Sequence, residues 1–351
     1  MSPNRFVVVA LMVFAGQTSL GCRMTNPPTD EGATETGADM GGGGDSTGDS
    51  PMSNDLVMTD GTVNDVPAGE GGTRNVTIRQ VQDIADSMHP PQGSHIALNQ
   101  SGMVALTPRL LIGSANGDSS MRCRFAAWIG DGRAADFSGV QVQELINLGD
   151  AGSCFDVAAR RIPADLAPGD MISIVGDSIY DEFCSGPSGV DSGTCRDFSQ
   201  TQLFGPTTFT RTGTGAAPAA AMVTVADLVA GTTGTPGPRA VALEGVLVRI
   251  NNVRVRAVAT GDGGAFTEVF VSDMSDTTMS REIDILVSNF RSTTCVRNYF
   301  RAQTGMVISF VTGILLPEFG RWKIRLRDDA DVGGVNCSTP TDGGIDAASG
   351  G

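Results

Sequence analysis

The chain has 351 residues, of which 40% are hydrophobic, and this is enough for about two domains of ~150 residues, each with a modest core. Its 39 acidic residues outnumber its 24 basic residues, which gives a net charge of −15 at pH 7. Such a charge disfavours nucleic acid and anionic membrane surfaces as partners, because both repel an acidic protein.

The first 22 residues have the pattern of an export signal. Arg5 precedes an apolar run from Phe6 to Ala15, and the segment ends in Ser-Leu-Gly-Cys22. The run is too short for the ~20 residues that span a bilayer, so it is typical of a targeting segment. Residues 1–22 resemble a bacterial lipoprotein signal peptide, which implies that Cys22 carries lipid. The alternative is ordinary secretion, with Cys22 left as an unpaired thiol.

An acidic segment follows at residues 23–73. Between Arg23 and Gly72 there are ten acidic residues, one arginine and no aromatic residue. This composition cannot bury enough apolar surface to order its backbone, so it predicts a disordered tether. The carboxylates lack the spacing of a calcium-binding loop, which favours a spacer over a calcium site. Residues 337–351 have a similar composition and are predicted to be a flexible tail.

An internal repeat organises the chain between these segments. Residues 169–183 align without gaps on residues 305–319 and share a glycine, an Ile-Ser pair, a valine and a closing Glu-Phe. Upstream of each copy, Thr77 and Thr224 begin short helical patterns, and threonine is a favoured N-cap residue. A duplicated domain is the simplest explanation.

Each copy is predicted to hold five short strands. In the second domain, residues 217–336, the strands are expected at 245–260, 266–273, 282–290, 305–316 and 321–327. In the first domain, residues 74–216, they are expected at 103–114, 124–131, 139–144, 170–179 and 202–210. A shift of alternation at Asn251-Asn252 predicts a bend in the long first strand. The pattern indicates an all-β fold of two tandem five-stranded barrels, each preceded by a short helix.

Three of these features carry a resemblance. The long bent first strand, the Gly-x-x-Ile-Ser-[Ile/Phe]-Val motif of the fourth strand and the closing strand from Ile324 to Val332 resemble the secreted OB-fold modules of bacterial surface lipoproteins, also found beside extracellular nucleases. The resemblance covers about residues 74–336. It implies OB-like barrels with binding as their default activity, commonly of oligonucleotides or oligosaccharides across strands two and three.

Six cysteines remain if Cys22 carries lipid, which suits three disulfides in an oxidising compartment. They are Cys123, Cys154, Cys184, Cys195, Cys295 and Cys337. The proposed pairs are 184 with 195, 123 with 154, and 295 with 337. Their scattered positions and the lack of a Cys-x-x-Cys motif favour disulfides over zinc.

The sequence contains no recognisable catalytic motif, neither a Gly-x-Ser-x-Gly elbow nor a His-Glu-x-x-His pair nor a P-loop. His89 and His95 lie in a proline-bearing loop, where exposed turn residues are favoured over a weak metal site. Asp181-Glu182 and Asp328-Asp329 are interpreted as charges at loop edges. We therefore predict no catalytic residue, no metal and no cofactor.

One candidate binding surface is a basic stripe on the second domain. If Trp322, Ile324 and Leu326 face the core, alternation places the intervening basic residues outside. The stripe would consist of Arg254, Arg256, Arg321, Lys323, Arg325 and Arg327. It would suit an anionic polymer, although ordinary solvent-facing residues are the favoured interpretation.

Together these features predict a non-enzymatic, lipid-anchored protein of the cell envelope, at the outer membrane or cell surface, that binds an extracellular protein or polysaccharide. One alternative is the capture of extracellular nucleic acid by the basic stripe. Another is an accessory or degenerate phosphodiester hydrolase, which rests only on analogy with the proteins that such modules accompany.

Overall fold

The computed structural model describes one compact unit that covers most of the two predicted domains. The described residues are 72–116, 121–148, 154, 159, 161–184, 198–205, 208–216, 218–232, 234–261, 266–278, 280–286, 304–318 and 320–333. The signal segment with Cys22, nearly all of the acidic tether and the C-terminal tail lie outside them. Within this part of the chain, every helix is too short or too polar to cross a membrane.

The structure is mostly β, as predicted. In the first half, residues 74–216, the strands are β1 (Arg74–Val76), β2 (His95–Leu98), β3 (Val104–Ala105), β4 (Leu110–Asn116), β5 (Met121–Gly130), β6 (Gly139–Asn147), β7 (Asp170–Val175), β8 (Ser178–Cys184), β9 (Ser199–Phe204) and β10 (Thr208–Thr214). In the second half, from residue 217, they are β11 (Ala221–Val223), β12 (Leu247–Gly261), β13 (Phe266–Asp273), β14 (Ile283–Leu286), β15 (Val307–Glu318) and β16 (Arg321–Arg325). Two short helices precede the main strands, α1 (Ile78–Gln82) and α2 (Val225–Leu228).

Both helices begin at the threonines that the sequence indicated. The Thr77 hydroxyl accepts a hydrogen bond from the Gln80 amide, and the Gln80 side chain accepts one from the Thr77 amide. Thr224 and Asp227 form the same reciprocal pair. Such caps stabilise a helix by ~1 kcal/mol each. Each helix also follows a three-residue strand that pairs in parallel with a later strand, β1 with β2 and β11 with β12, so the two halves begin alike.

The second half closes into a five-stranded barrel in the order β12-β13-β14-β16-β15, with β15 pairing back to β12. Strands β14 and β16 are parallel, and the other neighbours are antiparallel. Strand β12 reaches both of its neighbours because it bends. Asn252 has left-handed backbone with a φ of 51°, which asparagine tolerates better than most residues, and a bulge lies between Val255 and Ala257.

The barrel interior is filled by alternate residues of its strands. Strand register connects Val269 to Ile285, Ile285 to Ile324, and Ile324 to Leu315 around one level of the barrel. All four side chains are buried, as are Trp322 and Leu326. The expected inward direction of Trp322, Ile324 and Leu326 is therefore confirmed.

The first half is a curled sheet of ten strands rather than a simple five-stranded barrel. Three predicted strands are divided in two by residues that interrupt strands. Pro108, which lacks an amide hydrogen, lies between β3 and β4. Gly176 separates β7 from β8 and Gly205 follows β9, both with left-handed backbone at φ values of 96° and 62°. The sheet still contains a parallel pair, β6 with β9, that corresponds to β14 with β16.

The two halves pack through the outer faces of their sheets. In β5, Trp128 pairs with Gln141, on the face opposite Ala127, which belongs to the first half's own core. In the barrel, Leu316 pairs with Lys323, on the face opposite Leu315. All of these side chains are buried, and Trp128 belongs to the same apolar cluster as the barrel core. Side chains of the two halves are therefore buried in one common apolar cluster.

Glu244 makes a second connection between the halves. Its Oε1 accepts a hydrogen bond of 2.7 Å from the Thr201 amide of β9, and its Oε2 lies 3.3 Å from the Thr201 hydroxyl. Nearby, the backbones of Gly139 and Gly245 touch, so closely that a Cβ on Gly139 would collide with the Gly245 carbonyl. Burial, reinforced by the charge of Glu182, raises the pKa of Glu244 to about 8 against the hydrogen bonds from Thr201.

We predict that Glu244→Gln reduces the pH dependence of stability. In the wild type the folded state binds the Glu244 carboxyl proton more tightly than the unfolded chain does. The stability that this proton adds is therefore complete below the ordinary carboxyl pKa near 4.5 and is lost as pH rises to about 8. The loss amounts to roughly 3–5 kcal/mol, which glutamine does not incur. Urea unfolding at pH 5 and pH 8 would measure it. The prediction would be contradicted if the free energy of unfolding changed equally with pH in the wild type and in Glu244→Gln. Glu282→Gln, which removes a partly exposed glutamate, is the control.

Candidate functional site

An open groove of about 540 Å³ lies on the outer surface of the second half. It is lined by Pro218, Ala220, Met222, Leu247, Arg249, Asn251, Phe310, Thr312, Arg327, Asp328, Ala330 and Asp331. Its volume falls in the range of ordinary ligand sites, ~300–1,000 Å³. The segment before α2 forms one side of the groove, and the turn after β16 forms the other.

The floor of the groove is the outer face of the β12 and β15 pair. Arg249 lies opposite Thr312, and Asn251 lies opposite Phe310, so these four side chains project to the same side. Val248 and Ile250, which alternate with them, are buried in the core. The pattern of β12 therefore divides its residues between the barrel interior and the groove.

Arg249 is held in a fixed position on this floor. Its guanidinium carbon lies 3.6 Å from the centre of the Phe310 ring, which is close enough for a cation–π contact. Its Nε donates a hydrogen bond of 3.0 Å to Asn251 Oδ1. Among the described residues, no acceptor bonds its two terminal nitrogens. They are therefore available to a ligand, on a side chain that is already oriented.

The opposite wall is held by hydrogen bonds within the protein. Arg327 donates from Nη2 to Asp331 at 2.6 Å and from Nη1 to the Leu106 carbonyl at 3.2 Å. The Asp328 carboxylate caps the turn by accepting a hydrogen bond of 2.8 Å from the Ala330 amide. Its one arginine and two aspartates give this wall a net charge of −1, and it presents acceptors opposite the Arg249 donors.

The predicted basic stripe is not an exposed, continuous surface. Lys323 and Arg325 retain only 1% and 3% of their exposure, so the expectation that they face solvent is wrong. Their face of β16 is indeed outside the barrel, but carboxylates of the neighbouring strands cover Lys323, and Trp128 of the first half lies beside Arg325. Arg325 contacts Glu318 at 2.6 Å, and its guanidinium lies 5.9 Å from the Trp128 ring.

The other members of the stripe are separated. Arg321 donates to the Thr232 carbonyl at 2.7 Å, lies 3.5 Å from Glu282 and stands 5.0 Å from the Phe270 ring. Arg254 is exposed and Arg256 is half-buried on β12. Because Arg321 and Arg327 are paired with carboxylates, the surface carries much less positive charge than the sequence indicated.

The two histidines do not form a common site. His89 Nε2 lies 3.1 Å from the buried Tyr180 hydroxyl, and its Nδ1 lies 3.2 Å from the Gln80 carbonyl. His95 contacts Asp177 instead. Burial, together with the nearby Glu182 charge, raises the pKa of Tyr180. Across the described ranges, no three His, Cys, Asp or Glu side chains are grouped as metal ligands.

One of the three proposed disulfides is present. Cys123 of β5 is bonded to Cys154 with an S–S distance of 2.02 Å, and the bond packs against Phe125 and Ile146. It closes a segment with a sequence separation of 31 residues. The pairs Cys184–Cys195 and Cys295–Cys337 stay predictions, because Cys195, Cys295 and Cys337 lie outside the described residues.

No protein family that has been described as a sequence model matches this chain, and no curated protein is significantly similar to it. The groove therefore has to be interpreted from its own geometry. That geometry combines an oriented guanidinium, hydroxyl and amide groups, carboxylates and shallow apolar walls.

Proposed function

We propose that this chain is a non-enzymatic, extracytoplasmic binding protein, anchored to the cell envelope by lipid on Cys22, and that its groove binds a polysaccharide. The groove with the oriented Arg249 is the observation that supports this most directly. Its floor offers donors and acceptors at Arg249, Asn251 and Thr312, which suit sugar hydroxyls. A protein partner is less favoured, because protein interfaces depend on large buried anchors in deep pockets.

We further propose that the barrel is an OB barrel. Its strand order places the third and fifth strands side by side in parallel and lets a bent first strand pair with both the second and the fourth. The capped helix and the parallel strand pair at the start of each half support descent of the first half from the same unit. The curled sheet would then be a barrel modified by Pro108, Gly176 and the extra strand β10.

The position of the groove differs from the common OB pattern. OB barrels usually bind ligands across strands two and three. Here that side of the barrel includes Asp284 of β14, which is buried. The groove lies instead over the first and fourth strands, β12 and β15.

The nucleic-acid alternative loses much of its support. Its surface depended on six exposed basic residues, and two of them, Lys323 and Arg325, are buried. The strong negative net charge also opposes it. Nothing in the described geometry favours phosphodiester hydrolysis over binding.

We predict that polysaccharide binding depends on the groove. Arg249→Ala removes the oriented guanidinium, and Phe310→Leu removes the aromatic ring that holds it in place. Each variant should weaken binding about tenfold, which is ~1.4 kcal/mol of binding free energy. A glycan array would find the ligand, and calorimetric titration would measure the dissociation constants. Arg254→Ala is the matched control, since it removes an exposed arginine of the same strand outside the groove.

Two results would contradict this proposal. One is the absence of binding across neutral and acidic polysaccharides. The other is an equal loss of binding in the Arg249→Ala and Arg254→Ala variants, which would point to general charge rather than to the groove.

We also predict that Cys22→Ser abolishes anchoring. The apolar run of the targeting segment is too short to span a bilayer, and it precedes Cys22. Attachment of the mature chain should therefore depend on acyl chains at this cysteine. Labelled palmitate should enter the wild type but not the variant, and the variant should move from the membrane fraction to the soluble fraction. Unlabelled wild-type protein would contradict the anchor while leaving the groove proposal intact.

A further inference from the structure

Three ionisable side chains meet on the outer face of the barrel, away from the groove. Lys323 of β16 and Asp284 of β14 are direct register partners in the parallel pair. Glu268 lies on the next strand, β13, which pairs with β14. Neighbouring strands are ~4.8 Å apart, so the three side chains can reach one another without any change of the backbone.

The cluster is buried. The side chains of Lys323 and Asp284 are 1% and 0% exposed, and that of Glu268 is 21% exposed. Lys323 Nζ lies 3.1 Å from Asp284 Oδ2 and contacts Glu268 Oε1. Within the described part of the chain, neither oxygen of Asp284 accepts a hydrogen bond of ordinary geometry.

A carboxylate in this position is costly to keep as an ion. A buried ion pair is stable only when further hydrogen bonds satisfy its remaining polar atoms, and among the described residues the Asp284 carboxylate has only Lys323 and Glu268 beside it. Burial, opposed by Lys323 and reinforced by Glu268, raises the pKa of Asp284 to about 7. The neutral carboxylic acid is therefore accessible beside the amine.

We propose that Lys323 and Asp284 become joined by an intramolecular amide bond between Nζ and Cγ, with Glu268 as the acid–base catalyst. Lys323 Nζ lies 3.1 Å from Asp284 Oδ2, and Cγ is bonded to that oxygen, so the amine and the carbon that it attacks lie close to the ~3–3.5 Å separation of a near-attack geometry. A desolvated lysine is a competent nucleophile once it loses its proton.

The reaction balances without any co-reactant. Glu268 accepts a proton from the Lys323 ammonium and passes it to the Asp284 carboxylate, and the neutral amine then attacks Cγ of the protonated carboxyl. As the C–N bond forms, the nitrogen gives a second proton to Glu268, which passes it to the departing hydroxyl while the C–OH bond breaks. Overall, one ammonium and one carboxylate give one amide and one water.

The setting favours the product. Holding two reactants in place corresponds to an effective concentration of ~10⁵–10⁸ M, and the dry environment opposes hydrolysis. The amide also replaces two buried charges with a neutral group. The bond would connect β14 covalently to β16, the parallel pair of the barrel.

Peptide mapping of the reduced full-length chain tests the proposal. Trypsin should release Glu282–Arg291 linked to Trp322–Arg325 as one branched peptide, lighter than the sum of the two by one water. Cleavage after Lys323 should be blocked because its amine is acylated. Lys323→Arg and Asp284→Ala should release linear peptides, which locates the bond.

Glu268→Gln tests the catalyst. It should accumulate the uncrosslinked form, whereas Glu282→Gln, which removes an acid of the same surface that is paired with Arg321, should keep the branched peptide. Circular dichroism would establish that each variant is folded.

Two outcomes would overturn the inference. Folded wild-type protein that yields only linear peptides would exclude the bond, and a complete cross-link in Glu268→Gln would exclude the assigned catalyst. Neither outcome bears on polysaccharide binding at the groove, which lies on different strands.

Discussion

The packing of two outer sheet faces is the constraint on which the rest of the structure depends. Trp128 of the first half and Leu316 of the barrel both lie on faces that an isolated barrel would expose to water. Each large apolar side chain buried there contributes ~1.5–3 kcal/mol. This packing joins the curled sheet and the barrel into a single compact body and decides which barrel surfaces remain open.

The same packing determines which basic residues are buried and which remain exposed. A basic residue on the covered face needs a carboxylate partner, and Arg325 has Glu318 while Lys323 has Asp284 and Glu268. The outer face of β12 and β15 is only partly covered, so Arg249 and Phe310 remain accessible in the groove. The proposed binding groove and the Lys323–Asp284–Glu268 cluster therefore lie on different sides of one barrel.

Local sequence signals predicted the parts of the fold that depend on near neighbours. The threonine caps, the bend near Asn252 and the inward alternation of Trp322 and Ile324 are all determined by residues a few positions apart. The divided strands of the first half could also have been anticipated, because Pro108 and Gly176 are visible in the sequence as residues that interrupt strands.

The site residues were harder to predict. Alternation indicates which face of a strand a residue occupies, but not whether another element covers that face. It therefore predicts solvent exposure for Lys323 and Arg325, which are buried. Arg249 and Phe310 were missed because their contact depends on the register between β12 and β15, which are far apart in the chain. Neither residue carries a local signal of its own.

Thermal unfolding of the whole chain tests the shared packing most directly. If the halves are one cooperative body, calorimetry should show a single transition with equal van't Hoff and calorimetric enthalpies. Trp128→Ala should reduce the free energy of unfolding by ~3–5 kcal/mol and lower the melting temperature of that one transition, in which the barrel also unfolds. Two separate transitions, with the barrel's transition unchanged by Trp128→Ala, would contradict the account.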